Sequence, residues 1–179
     1  TQDLTSSDSK MLAKMQHAIG NFERMGDYAV NLLKTKEAMH QKDIRFSGIA
    51  NQEIKTMGEA VKEITSLATE AFIKGDTEIA VQVEPLEQVV DSLKKEIRAK
   101  HIERLENNQC SIDLGVHLFD IINSLERVAD HCSNLAVCEI ELSDGNYNTH
   151  KYLKNIKNEN SNQYMGTLQN YMKKYNLLK

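Results

Sequence analysis

Proline occurs once in 179 residues, tryptophan not at all, and glycine only eight times. So few helix breakers and turn formers leave little room for a hairpin-rich sheet, and long helices are expected. No stretch approaches the roughly 20 apolar residues that cross a bilayer, and no signal-peptide pattern opens the chain. The three cysteines, Cys110, Cys132 and Cys138, have no metal-type spacing and cannot form an even disulfide framework. Cys132 falls on an apolar stripe, which suits a reduced, buried thiol and points to a reducing compartment such as the cytoplasm. A phosphate-cradling glycine loop and a nucleophile elbow are both missing, so nothing points to an enzyme.

What is present reads as a soluble helical protein. Hydrophobic residues make up 40% and charged residues 27% of the chain, ordinary proportions for a globular domain of this length. The net charge of −4 is uneven: residues 151–179 hold six Lys and one Glu, a basic end on an acidic body. An acidic body argues against nucleic acid as a partner. The chain starts at Thr1 without a Met, so a fragment or a processed product is expected, with any membrane part lying outside it.

Apolar residues at steps of three and four predict the helices. Met11, Met15, Ala18, Phe22, Met25, Ala29 and Leu32 mark the first, from about 9 to 40, behind a polar and disordered lead at 1–8. Phe46 to Ala71 marks a second, stopped by Gly75, with Asp76 or Thr77 able to cap the next helix. A third carries Ile79, Val83, Leu86, Val90, Leu93 and Ile97; Pro85 inside it should bend it rather than end it. Asn107-Asn108-Gln109 is the next turn, and Ser111 caps a fourth helix through Leu135. Four such helices joined by short turns predict an all-α, up-down antiparallel four-helix bundle over 9–142. A linker at 143–149 and a C-terminal helical segment at 150–179 complete the layout.

One helical element occurs twice. Phe22-Glu23-Arg24-Met25-Gly26-Asp27-Tyr28-Ala29-Val30-Asn31-Leu32 matches Leu125-Glu126-Arg127-Val128-Ala129-Asp130-His131-Cys132-Ser133-Asn134-Leu135 at one constant offset. Core packing would preserve the apolar positions; it does not require Glu23/Glu126, Arg24/Arg127, Asp27/Asp130 and Asn31/Asn134 to match too. At about 100° per residue, Glu23 and Asp27 lie roughly 100° and 140° from Phe22, at the edge of the core and onto an outer face. The third helix shows the same one-on and five-on offsets at Glu87 and Asp91 from Leu86, with Glu84 joining their face.

Antiparallel packing of the third and fourth helices would bring Glu87/Asp91 level with Glu126/Asp130. Four converging carboxylates repel unless a positive charge sits between them. Oxygen ligands suit Mg, Mn or Fe, with Zn also open. A single Glu/Asp pair four apart on a helix is most often a solvated face, and Arg24 and Arg127 are available to pair with neighbouring acids. Three pairs at one offset favour a cation site. The lone Glu37-Ala38-Met39-His40 is half of a di-iron motif with no second copy, which argues against a ferritin-like oxidase.

The repeated segment resembles the PhoU family, whose signature helix reads acid-Arg-small/apolar-Gly-Asp-x-Ala-x-Asn; Glu23 to Asn31 fits it, and Glu126 to Asn134 is a looser copy. Glu87 to Asp91 is similar to the family's second motif. The resemblance implies a helical bundle with an internal repeat and metal ligands at Glu87, Asp91, Glu126 and Asp130. It further implies a second site at Glu23 and Asp27. Helix geometry adds Glu84, Asn31 and Asn134, beside the acids of their own helices, as lesser candidate ligands. A full member has two three-helix units; here the first keeps only its last helix. With His150-Lys151-Tyr152 and the Tyr/Lys-rich end, this is similar to the cytoplasmic C-terminal part of bacterial Na⁺/phosphate cotransporter-family proteins. The expectation is a regulatory domain on the cytoplasmic face of the plasma membrane, partnered by the transmembrane region of the same protein or by further copies. The alternatives are a soluble PhoU-type phosphate-signalling regulator or a metal-free structural bundle.

Overall fold

The computed structural model describes residues 5–144 and 162–177, and these are all-helical, with no strand among them. Helix α1 spans Ser6–Gln41, α2 Gly48–Lys74, α3 Thr77–Ala80, α4 Val83–Glu106, α5 Ile112–Asp144 and α6 Asn162–Lys174. The start of α1 is set by a capping box: the Thr5 side chain accepts the Asp8 amide N–H, and the Asp8 carboxylate accepts the Thr5 amide N–H. The helix therefore begins inside the polar lead, at Ser6 rather than at 9.

Other boundaries obey the cap chemistry read from the sequence. Ser47 accepts from the Ala50 amide and starts α2, which ends at Gly75 in the left-handed region at φ 66°. Asp76 caps α3 by accepting from the Glu78 and Ile79 amides. Ser111 accepts from the Leu114 amide ahead of α5.

Pro85 behaves differently from the expectation of a bent helix. The third element is broken at Val81–Gln82 into short α3 and long α4, and Pro85 sits in the first turn of α4. A first-turn amide has no intrahelical acceptor, so the missing proline N–H costs nothing there, whereas mid-helix it would cost a hydrogen bond and a clash. Asp144 still belongs to α5. The rest of the predicted linker and the segment through His150-Lys151-Tyr152 lie outside the described residues.

The core is built by α2, α4 and α5. Met57, Ile64, Leu86, Ile97, Leu118, Ile122 and Leu135 are fully buried among them, each worth about 1.5–3 kcal/mol of transfer free energy. Helix α5 is central, packing against α1, α2 and α4, while α6 lies against α4. Because α1 meets mainly one helix, its buried side runs through Ala18, Asn21, Met25, Tyr28, Leu32 and Met39. The predicted stripe is rotated relative to this side, and its Met11 and Met15 are about half exposed.

Buried polar pairs tie the elements together. Arg104 forks onto Glu53 with N–H···O distances of 2.9 and 2.8 Å, joining α4 to α2. Lys14 of α1 reaches Glu139 of α5 at 2.5 Å, and Tyr175 and Lys174 at the end of α6 both engage Glu63 of α2. Gly115 allows α5 to approach α4 closely, since a Cβ there would lie 2.7 Å from His101 Nε2.

Candidate functional site

The repeat explains how α1 meets α5. The two helices run antiparallel, as the Lys14–Glu139 and Asn21–His131 contacts show. Tyr28 and His131 hold equivalent places in the two repeat copies, and they stack on each other with ring centroids 5.9 Å apart. A His131 ring nitrogen also bonds the Asn21 side-chain oxygen at 2.9 Å. Burial pushes the His131 pKa down, helped by the Arg24 and Arg127 charges and opposed by Asp130. The imidazole is accordingly neutral at pH 7.

Beside this junction lies a polar groove of about 520 Å³ between α1, α4 and α5. Asn31 and Lys34 come from α1, Lys94 from α4, and Asp120, Glu126 and Arg127 from α5. Thus two repeated positions, Glu126 and Arg127, and one from the other copy, Asn31, face the same space.

Among the motif acids, Lys94–Glu126 at 3.1 Å and Ser133–Glu84 at 2.6 Å set the antiparallel register of α4 and α5. That register brings Asp91 level with the turn from Glu126 to Ala129, as the sequence spacing predicts. The positive charge near these acids is supplied by the chain itself. Lys94 pairs with Glu126, Lys95 with Asp91 at 2.6 Å, and Arg127 with Asp130 at 3.2 Å. The Lys95 pKa is raised, first by its hydrogen bond from the ammonium to Asp91.

The largely buried Glu126 Oε2 lies 3.1 Å from the Lys94 ammonium, which supplies its counter-charge. Glu84 is buried and accepts from Ser133 Oγ, which removes it from the outer face assigned to it. Glu87 is half-buried, and its charge, after burial and Glu84, helps push the Tyr164 pKa up. On α1, Glu23, Asp27 and Asn31 are exposed; Asn134 of α5 is half-buried.

Among the described residues no three His, Cys, Asp or Glu side chains converge as metal ligands. Of the motif acids, Glu126, Asp91 and Asp130 have their charge met by Lys94, Lys95 and Arg127. Sequence reading passed over Lys94 and Lys95, although their places three and four residues after Asp91 put them on its helix face.

Cys132 is buried as expected; its thiol lies 3.7 Å from Thr65 Oγ1, and burial pushes its pKa up to about 11. A thiol so held is packing, not a nucleophile. No described helix is long and apolar enough to cross a membrane.

A helical unit with a repeated Glu-Arg-x-x-Asp helix defines a class, and comparison with known proteins gives the same one. Residues 54–138 match the PhoU domain, from within α2 through most of α5. The chain is 27% identical over 137 residues to phosphate-specific transport system accessory protein PhoU homolog 1 of Thermotoga maritima, covering 76% of this chain and 58% of that protein. It is 24% identical over 157 residues to the PhoU homolog of Pseudomonas aeruginosa, covering 88% and 64%. With the PhoU homolog of Aquifex aeolicus it shares 28% over 149 residues, covering 83% and 66%. The chain thus spans about three-fifths of the length of the curated relatives it matches. No solved structure matches it.

Proposed function

We propose that this chain is an accessory regulator of phosphate transport, acting by docking on a component of a phosphate transport system. The observation that carries the reading is the PhoU match at 54–138, together with relatives named as phosphate-specific transport system accessory proteins. In physical terms the three-helix core is a rigid support, and the α1–α5 junction presents Asn31, Lys34, Glu126 and Arg127 at one polar groove. Such a surface of mixed charge suits recognition of a polar protein face. Its role is regulatory rather than catalytic.

The narrower setting implied by the sequence resemblance is a domain joined to a Na⁺/phosphate cotransporter-family membrane region, whereas the relatives described above are named as accessory proteins. The accessory-protein reading therefore takes precedence. Either setting puts the working chain beside a membrane protein on the cytoplasmic face. The proposal does not rest on cation binding through Glu87, Asp91, Glu126, Asp130, Glu23 and Asp27; of these acids, Glu126, Asp91 and Asp130 pair with Lys94, Lys95 and Arg127.

Co-sedimentation tests the docking. Membranes from the source organism that carry its phosphate transport system should retain the purified chain, and membranes lacking that system should not. Equal retention by both would refute the reading.

A further inference from the structure

Helix α6 lies outside the span that matches the PhoU domain, and it is held differently from the core helices. At 13 residues it is near the length at which an isolated helix is marginal in water, so its helicity depends on the surface beneath it. Tyr164, Leu168, Tyr171 and Tyr175 stand at steps of four, three and four, a single stripe turned toward α4 and the neighbouring Glu63 of α2. Leu177 closes the stripe just past the helix and is buried.

The surface beneath is acidic at both ends. At the far end Glu63 accepts from the Tyr175 hydroxyl and from the Lys174 ammonium, the latter at 2.7 Å. Burial, then the bond and charge of Glu63, push the Tyr175 pKa up. At the near end burial, then the Glu84 and Glu87 charges, do the same to Tyr164. Helix α6 has no acidic residue, and Lys173 and Lys174 lie in its last turn. Its charge thus complements its seat, as it does between partners that must choose each other. The clamp is thin. The Lys174 and Glu63 side chains are 55% and 27% exposed, and an ion pair so open to water contributes about 1 kcal/mol at most. Among the described side chains of α6 itself only Tyr171 is buried, whereas α4 buries a whole face from Val83 to His101. Elements held this lightly open before the core does.

We propose that the α2–α4 face under α6 is a docking groove for a basic, aromatic amphipathic helix of a partner protein, with α6 as its resident competitor. The seated helix displays the recognition rule: a stripe of aromatic and aliphatic residues, with a lysine immediately before the last of them to meet Glu63. A lipid surface would reward the charge and the stripe, but it has no counterpart to the one carboxylate that holds Tyr175 and Lys174 together. A partner helix has to displace α6, so its apparent affinity falls by the fraction of chains whose seat is open. None of these residues lines the polar groove of the proposed transport role, so the two readings fail separately.

Fluorescence anisotropy with a labelled peptide of residues 162–179 tests this on the full chain. Tyr171→Asp with Leu177→Asp should lift the chain's own α6, and the peptide should then bind roughly tenfold or more tightly than it binds the wild type. Adding Glu63→Lys should abolish that binding; adding Glu106→Lys instead, at an exposed acid on the last turn of α4, should leave it intact. Hydrogen exchange on the wild type needs no variant: the amides of α6 should exchange faster than those of α4. A folded double variant that ignores the peptide overturns the proposal, as does binding that survives Glu63→Lys. Exchange in α6 as slow as in α4 overturns it equally. Capture of the wild type by phosphatidylglycerol vesicles, with no peptide binding to the double variant, would assign the stripe to lipid and overturn it too.

Discussion

Replacing Arg104 by Met should destabilise this protein more than most single changes. Glu53 is 4% exposed, and both its oxygens are held by the Arg104 guanidinium at 2.9 and 2.8 Å. Removing the cation strands a carboxylate in an apolar wall between α2 and α4. Breaking a buried pair in this way costs about 3–5 kcal/mol, a fifth or more of the ~5–15 kcal/mol that holds a domain together. For a chain of this size that is a fall of roughly 10 °C in Tm. Replacing both partners, Glu53→Leu with Arg104→Met, should recover most of the loss, because no charge is then left buried. Urea unfolding monitored by circular dichroism on the four proteins gives the coupling directly. A cost below ~1 kcal/mol for Arg104→Met would mean that water reaches Glu53 and that the α2–α4 contact is not dry.

The same packing sets three further outcomes. Gly115→Ala should lose about 1–3 kcal/mol from the clash with the buried His101 ring, overriding the better helix propensity of Ala; a gain in stability would refute the close approach. Burial lowers the pKa of His101, with Arg104 adding to it, and of His131. The unfolded chain therefore binds protons that the fold does not once pH falls below about 6.5. Stability should drop there by up to ~1.4 kcal/mol per pH unit for each histidine, and pH-dependent urea midpoints that stay flat from pH 7 to 5 would contradict it. A chelator should leave Tm unchanged, since Lys94, Lys95 and Arg127 hold the acids without a metal; a chelator-dependent fall in a melting scan would show a structural ion instead.

Local chemistry was legible in the sequence; long-range pairing was not. Gly75, the Asn107–Gln109 turn and the Ser111 cap could be read because a cap is written within four residues. The repeat also identified the two helices that stack Tyr28 on His131. Pro85 was misjudged because the apolar stripe runs on through the break, and periodicity alone does not separate a bend from a restart in the first turn. The buried side of α1 was misplaced because a stripe shows that a face is apolar, not which neighbour covers it. Met11 and Met15 stay in solvent since α1 has only α5 as a major neighbour.

Glu53–Arg104, Lys14–Glu139 and Asn21–His131 join residues from separate helices, and a single chain's spacing carries no sign of them. At the acids the α4–α5 register was foreseen, but local competition was not. A lysine one turn along the same helix reaches Asp91 at far lower entropic cost than a second helix can.

Phosphate uptake tests the central claim most directly. In the source organism, deleting this gene should change the rate at which labelled phosphate enters the cells, and restoring the wild-type chain should return it. Restoring Arg127→Glu, which reverses the charge at the polar groove, should fail to do so while the protein remains folded. Uptake that is identical with and without the gene would contradict a role in phosphate transport.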